Sequence, residues 1–123
     1  MQISVVILNY NVRYFLELCV LSVQKALQNI DSEIIVVDNA SHDEESLTFL
    51  EQAHAAKRIT LIKSPQNIGF GRGNNLGVSS AKGKYIFFHN PDVTVQENSL
   101  QKVIDYLEKH QDIGILGPKL VYS

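Results

Sequence analysis

A chain of 123 residues with 45% hydrophobic and 20% charged side chains has the make-up of one ordinary globular domain, large enough to bury a core. A formal net charge of −2, with basic residues scattered, excludes the basic face of a nucleic-acid binder and the polybasic run drawn to anionic membranes. The single cysteine, Cys19, excludes an internal disulfide, and His42, His54, His89 and His110 lack the spacing of a metal cluster.

Ile3–Leu8 is a nearly uninterrupted β-branched run that reads as a buried strand, too short for a signal-peptide core or a membrane span. Leu16, Val20, Val23 and Leu27 then recur at helical spacing. Cys19 falls in that stripe and reads as a buried structural thiol, which fits a reducing compartment and cytoplasmic residence. Any association with the inner face of a membrane is expected to come from sequence beyond Ser123. Glu33–Asp38 is a second buried strand, and Ser41 with Glu44 has the form of a capping box opening a helix that carries Leu47, Leu50 and Ala53. Ile59–Ile62 reads as a third strand. The glycine- and asparagine-rich stretch Asn67–Gly77 follows and is expected to end in a helix reaching Ala81. Tyr85–Phe88 is a fourth strand. Asn98 with Gln101 caps a helix striped by Leu100, Val103, Ile104 and Leu107, and Ile113–Leu116 reads as a last short strand.

This alternation predicts an α/β fold, a mainly parallel sheet with right-handed crossovers and helices on both faces. Ligands bind such sheets beyond the carboxyl ends of the strands. The polar clusters Asn9-Tyr10-Asn11, Asp38-Asn39, Ser64 and His89-Asn90-Pro91-Asp92 are therefore expected along one rim. A diphosphate-activated sugar needs its base stacked, its ribose held and its phosphates neutralised. Tyr10 offers an aromatic face, Asp38 a rim carboxylate for base or ribose, and Asp92 a hard oxygen ligand for a divalent cation. Each residue alone has a plainer reading: Asp38 as a helix cap, Asn90-Pro91-Asp92 as a β-turn, Tyr10 and His89 as packing at the rim. In the Asn67–Gly77 stretch the glycines permit positive φ and close backbone approach to a ligand, ahead of a helix N-terminus that favours anions. The stretch is not a dinucleotide fingerprint, since Asn74 stands where the last glycine would be and the loop follows the third strand instead of the first. The absence of glycines after the first strand, in Leu8-Asn9-Tyr10-Asn11, argues against both a Rossmann-type oxidoreductase and a sugar-1-phosphate nucleotidyltransferase.

Taken in order, Val5–Asn11, Ile34–Ser41, Asn67–Phe70, Gly73–Gly77 and Phe88–Asp92 resemble the motifs of family 2 glycosyltransferases, and the resemblance runs from Ile3 to Lys119. It implies a GT-A fold and a nucleotide-diphospho-sugar donor, with a UDP- or dTDP-sugar expected. It also implies inverting transfer to the hydroxyl of a saccharide or lipid-linked acceptor in cell-surface polysaccharide or glycoconjugate synthesis. By position, Tyr10 and Asp38 would hold the base, with Asn39 near the nucleotide and Asn9 and Asn11 among the residues that bind the donor. Asn75 and the loop around it, with Asn67, Gly69 and Asn74, would line the pyrophosphate side. Either Asn74, where many relatives carry arginine, or Arg72 two residues before it would meet phosphate. Asp92 matches the last acid of the family's Asp-x-Asp motif, so Mg²⁺ or Mn²⁺ is the implied cofactor. Asn90 replaces the first acid, as in the subgroup resembling rhamnosyltransferases. Residues 1–123 then correspond to the donor-binding half of a catalytic domain. The general base, commonly Asp or Glu, is expected beyond Ser123. A binding module without catalysis is the alternative for this span.

Overall fold

The computed structural model describes residues 1–12 and 14–117. Strands and helices alternate as β1 (Ile3–Asn9), α1 (Leu16–Ala26), β2 (Ser32–Asp38), α2 (Glu44–Ala55), β3 (Thr60–Lys63), α3 (Phe70–Val78), β4 (Tyr85–His89) and α4 (Ser99–Lys109). Every strand pair is parallel, and the sheet order is β3-β2-β1-β4. The chain steps outward from β1 to β3, then crosses back to lay β4 on the free side of β1. Right-handed crossovers taken in opposite directions put their helices on opposite faces.

The packing follows that rule. Ile3, Val5 and Ile7 of β1 join Ile34 and Val36 of β2 in one core with Cys19, Val20 and Val23 of α1, Leu50 of α2, and Leu100 and Ile104 of α4. On the other face lies α3. It approaches so closely that a Cβ at Gly77 would sit 2.5 Å from Val6 Cγ1, and one at Gly73 would sit 2.5 Å from Leu8 Cδ1. Sandwiched between helices, β1 and β2 need apolar side chains in both directions, hence their unbroken Val and Ile runs.

Register sets the heights of the strand ends. Asn9 is level with Asp38 and Asp38 with Lys63, while β4 stops at His89, level with Ile7. At the opposite edge, Ser4 Oγ donates to Glu33 Oε2 (2.6 Å) and accepts from the Gly83 N–H (2.8 Å), tying β2 and the approach to β4 onto β1.

Four expectations need correction. Ser41 is not the cap of α2: the N-cap position is Asp43, and the Ser41 hydroxyl instead accepts from the Asn11 N–H at 2.9 Å. Asn98 does stand at the N-cap of α4, yet its side chain makes no capping hydrogen bond. The helix expected to reach Ala81 ends at Val78. Ile113–Leu116 joins no ladder and Ile115 is 94% exposed, because a short apolar run becomes a strand only where a neighbour offers its edge. The last part of the span that resembles the family, up to Lys119, lies outside the described residues after Gly117. Among the described residues, no helix is long and apolar enough to cross a membrane.

Candidate functional site

The strand order reverses between β1 and β4, and open parallel sheets bind ligands at such a switch point. A cleft of about 440 Å³ lies there, lined by Leu8, Tyr10 and Val12 after β1, Asn39 after β2, Asn67, Phe70 and Asn74 around the start of α3, and Phe88–Asp92 from β4 onward. That volume falls in the range usual for small-molecule sites, roughly 300–1,000 Å³.

Six of the sequence candidates meet in this lining: Tyr10, Asn39, Asn67, Asn74, Asn90 and Asp92. Tyr10 is 46% exposed, so much of its ring is free to take a partner. Asn39 is buried and organises the far wall. Its Nδ2 donates to Asn67 Oδ1 (3.0 Å) and its Oδ1 accepts from the Ile68 N–H (2.9 Å), while Asn67 Oδ1 also accepts from the Gly69 N–H (2.9 Å). That turn delivers the chain into α3.

The other candidates stand behind the lining. Asp38 is no rim carboxylate: it is 3% exposed, and both its oxygens are engaged within the chain. Oδ1 accepts from Asn9 Nδ2 (3.0 Å) and Oδ2 from the Ser41 N–H (3.0 Å). The register puts Asn9 directly beside Asp38, which explains the pairing. Asn9 Oδ1 is left buried without a partner among the described residues. Asn11, at φ 53°, braces the loop after β2 by accepting from the His42 N–H (2.7 Å). Gly69 is the N-cap residue of α3 at φ 85°, a left-handed conformation in which glycine is the unstrained residue. Asn75 points to solvent outside the cleft, so of the neighbouring pair it is Asn74 that lines it. Ser64, expected on the rim, is buried and donates to the Gln66 carbonyl.

Sequence reasoning passed over Phe70 and Phe88, both exposed and both in the lining. The signal for Phe88 was there in the alternation of β4, where Ile86 and Phe88 share the exposed face.

After β4, Asn90, Pro91, Asp92 and Val93 form a turn closed by the Val93 N–H to the Asn90 carbonyl (3.3 Å). Asp92 is its exposed third residue and the one acidic side chain in the described lining. Two side chains approach the turn from below. The His89 ring meets the Val93 carbonyl through Nε2 (2.7 Å), and Cys19 Sγ reaches the Asn90 carbonyl (3.6 Å). Burial lowers the His89 pKa, opposed by the Val93 carbonyl and the Asp92 charge. Burial, with the Asp92 charge adding, pushes the Cys19 thiol up to about 12. A free-standing metal cage is not on offer, for no three His, Cys, Asp or Glu converge among the described residues. One carboxylate beside the Asn90 amide fits a hard cation that takes most of its oxygens from a bound ligand and water.

The family model described as Glycosyl transferase family 2 matches residues 4–123. An uncharacterized glycosyltransferase of Haemophilus influenzae is 30% identical over 120 residues, covering 96% of this chain and 36% of the relative. Among solved structures, S. aureus TarS 1-349 in complex with UDP-GlcNAc matches with a TM-score of 0.79 at 23% identity, over 90% of this chain and 32% of that one. The mannosyltransferase PcManGT from Pyrobaculum calidifontis, in complex with GDP-Man and Mn²⁺, matches with a TM-score of 0.77 at 20% identity, over 86% of this chain and 32% of that one. The chain thus spans about a third of the length of these proteins. The fold is that of the GT-A glycosyltransferases.

Proposed function

The chain belongs to glycosyl transferase family 2, and from that premise we propose that it forms the donor-binding part of a transferase that moves a sugar from a nucleoside diphosphate to an acceptor hydroxyl with inversion. The observation that carries this reading is the composition of the cleft at the switch point: one exposed tyrosine, an asparagine-rich wall, the start of a helix and a single carboxylate. Tyr10 stacks on a pyrimidine base, a contact worth about 1–3 kcal/mol by analogy with single-strand binding. Asp38 acts from behind by fixing Asn9 and Ser41, which shape the wall next to the base.

The pyrophosphate lies at the start of α3. The first-turn N–H groups of a helix lack intrahelical acceptors, and no acidic residue stands in this first turn to compete with an anion. Asn74 and Asn67 offer amides to the same region without adding charge. Asp92, with the Asn90 amide, holds a divalent cation together with the diphosphate. When bound, that cation neutralises charge developing on the leaving group. In the transfer a bond forms from the acceptor oxygen to the anomeric carbon as the bond from that carbon to the diphosphate oxygen breaks. The described cleft has no second carboxylate to take the acceptor proton, which favours, for this span by itself, the reading of a donor-binding module.

The test is a calorimetric titration with uridine diphosphate in Mn²⁺ and in chelator, on the unmutated chain and on Asp92→Asn. Mn²⁺ should tighten binding to the first and have little effect on the second. Equal affinities under all four conditions would return Asn90-Pro91-Asp92 to being only a turn.

A further inference from the structure

The turn that carries Asp92 is anchored at both ends by side chains to which donor binding assigns no task. The Val93 carbonyl can only accept, so His89 Nε2 carries the hydrogen in their 2.7 Å contact. The ring is not free to choose another partner, being 7% exposed and stacked on Phe87 with centroids 5.6 Å apart. At the other end Cys19 Sγ, from α1 beneath, donates to the Asn90 carbonyl, which also accepts the Val93 N–H. Between these fixed points Pro91 has its φ locked by its ring. The one residue of the turn left to face a ligand as an acid is Asp92.

From this geometry we infer that His89 is a positioning residue: its hydrogen bond to the Val93 carbonyl holds the turn in the shape that presents the Asp92 carboxylate to the cation. The inference rests on the reading of Asp92 as a cation ligand. A cation shared between one protein carboxylate and a diphosphate gains little if that carboxylate must first be ordered, so support behind the ligand sets the metal-dependent part of donor affinity. An apolar side chain at position 89 would fill the space yet leave the Val93 carbonyl unpaired and the turn free to tilt. Packing alone, the plainer role for His89, requires no donor at that atom.

The experiment is titration with uridine diphosphate, in Mn²⁺ and in chelator, of the unmutated chain, His89→Leu, His89→Gln and His89→Asn. The readout is the ratio of the two affinities. The net worth of one hydrogen bond corresponds to about fivefold in an equilibrium constant. The ratio should fall by about that much in His89→Leu. It should recover in His89→Gln, whose amide nitrogen extends about as far as Nε2, and stay low in the shorter His89→Asn. Should His89→Leu fail to fold, the contrast between Gln and Asn carries the same test. An unchanged ratio in every variant overturns the inference, as does equal weakening in both buffers, or Asn serving as well as Gln. Absence of any Mn²⁺ effect in the unmutated chain removes the cation reading, and this inference with it; that failure shows before any substitution is made.

Discussion

Replacing Gly77 and Gly71 by alanine, one at a time, separates two roles that glycine has within the same helix. A Cβ at Gly77 would lie 2.5 Å from Val6 Cγ1 and 3.2 Å from Val37 Cγ2, whereas a Cβ at Gly71 would meet nothing within 4 Å. Val6 and Val37 are fully buried and β-branched, so neither rotates away at low cost. Gly→Ala inside a helix gains about 1 kcal/mol in propensity. Overpacking a core costs about 1–3 kcal/mol. Gly71→Ala should therefore stabilise by up to about 1 kcal/mol. Gly77→Ala should be neutral to destabilising by about 2 kcal/mol, leaving the pair about 1–3 kcal/mol apart. Gly73→Ala should fall between them, since its neighbour, Leu8, is a flexible side chain only partly buried. Urea unfolding followed by far-ultraviolet circular dichroism measures the difference. If Gly77→Ala proved as stable as Gly71→Ala, α3 would not be seated on β1 and β2 as described, and the position of Asn74 and Phe70 at the cleft would lose its support.

Asp38→Ala should lower stability as well as nucleotide affinity, because it removes the acceptor of the Ser41 N–H and the nearer of the two acceptors of the Asn9 amide, leaving it only Ser41 Oγ at 3.4 Å. A loss of about 1–3 kcal/mol is expected on unfolding, and a variant that melts like the parent while losing nucleotide binding would mean that the carboxylate serves the ligand alone. Cys19, its pKa raised from 9.0 to about 12 in the folded chain, should resist iodoacetamide at pH 8.5 and react once urea has unfolded the protein. A raised folded pKa leaves this contribution to stability intact below pH 9 and removes it as pH climbs toward about 12. Rapid alkylation of the native chain would contradict the burial of the thiol.

Much of the fold was legible because parallel strands covered on both faces announce themselves as unbroken apolar runs, as in Val5–Leu8 and Ile34–Val37. The rim followed from connectivity, and the structure gathers Tyr10, Asn39, Asn67, Asn74, Asn90 and Asp92 there. What escaped depended on distant neighbours. Gly73 and Gly77 read as room for a ligand, yet the atoms that fill the missing Cβ positions belong to Leu8, Val6 and Val37. A glycine in sequence does not say what approaches it. Asp38 read as a free rim acid because its main partner, Asn9, sits on another strand and meets it only through the sheet register. Ser41 and Glu44 have the spacing of a capping box, but the Ser41 hydroxyl was already committed to Asn11 across the loop. In each case local spacing was right, and a contact made by the fold took precedence.

Calorimetric titration of the chain with uridine diphosphate and, separately, with NAD⁺, both in Mn²⁺, tests the central claim most directly. A cleft built around Tyr10, the start of α3 and Asp92 should bind the pyrimidine diphosphate and give no detectable heat with the dinucleotide. Binding of NAD⁺ without binding of uridine diphosphate would contradict the assignment of the cleft as a sugar-donor site.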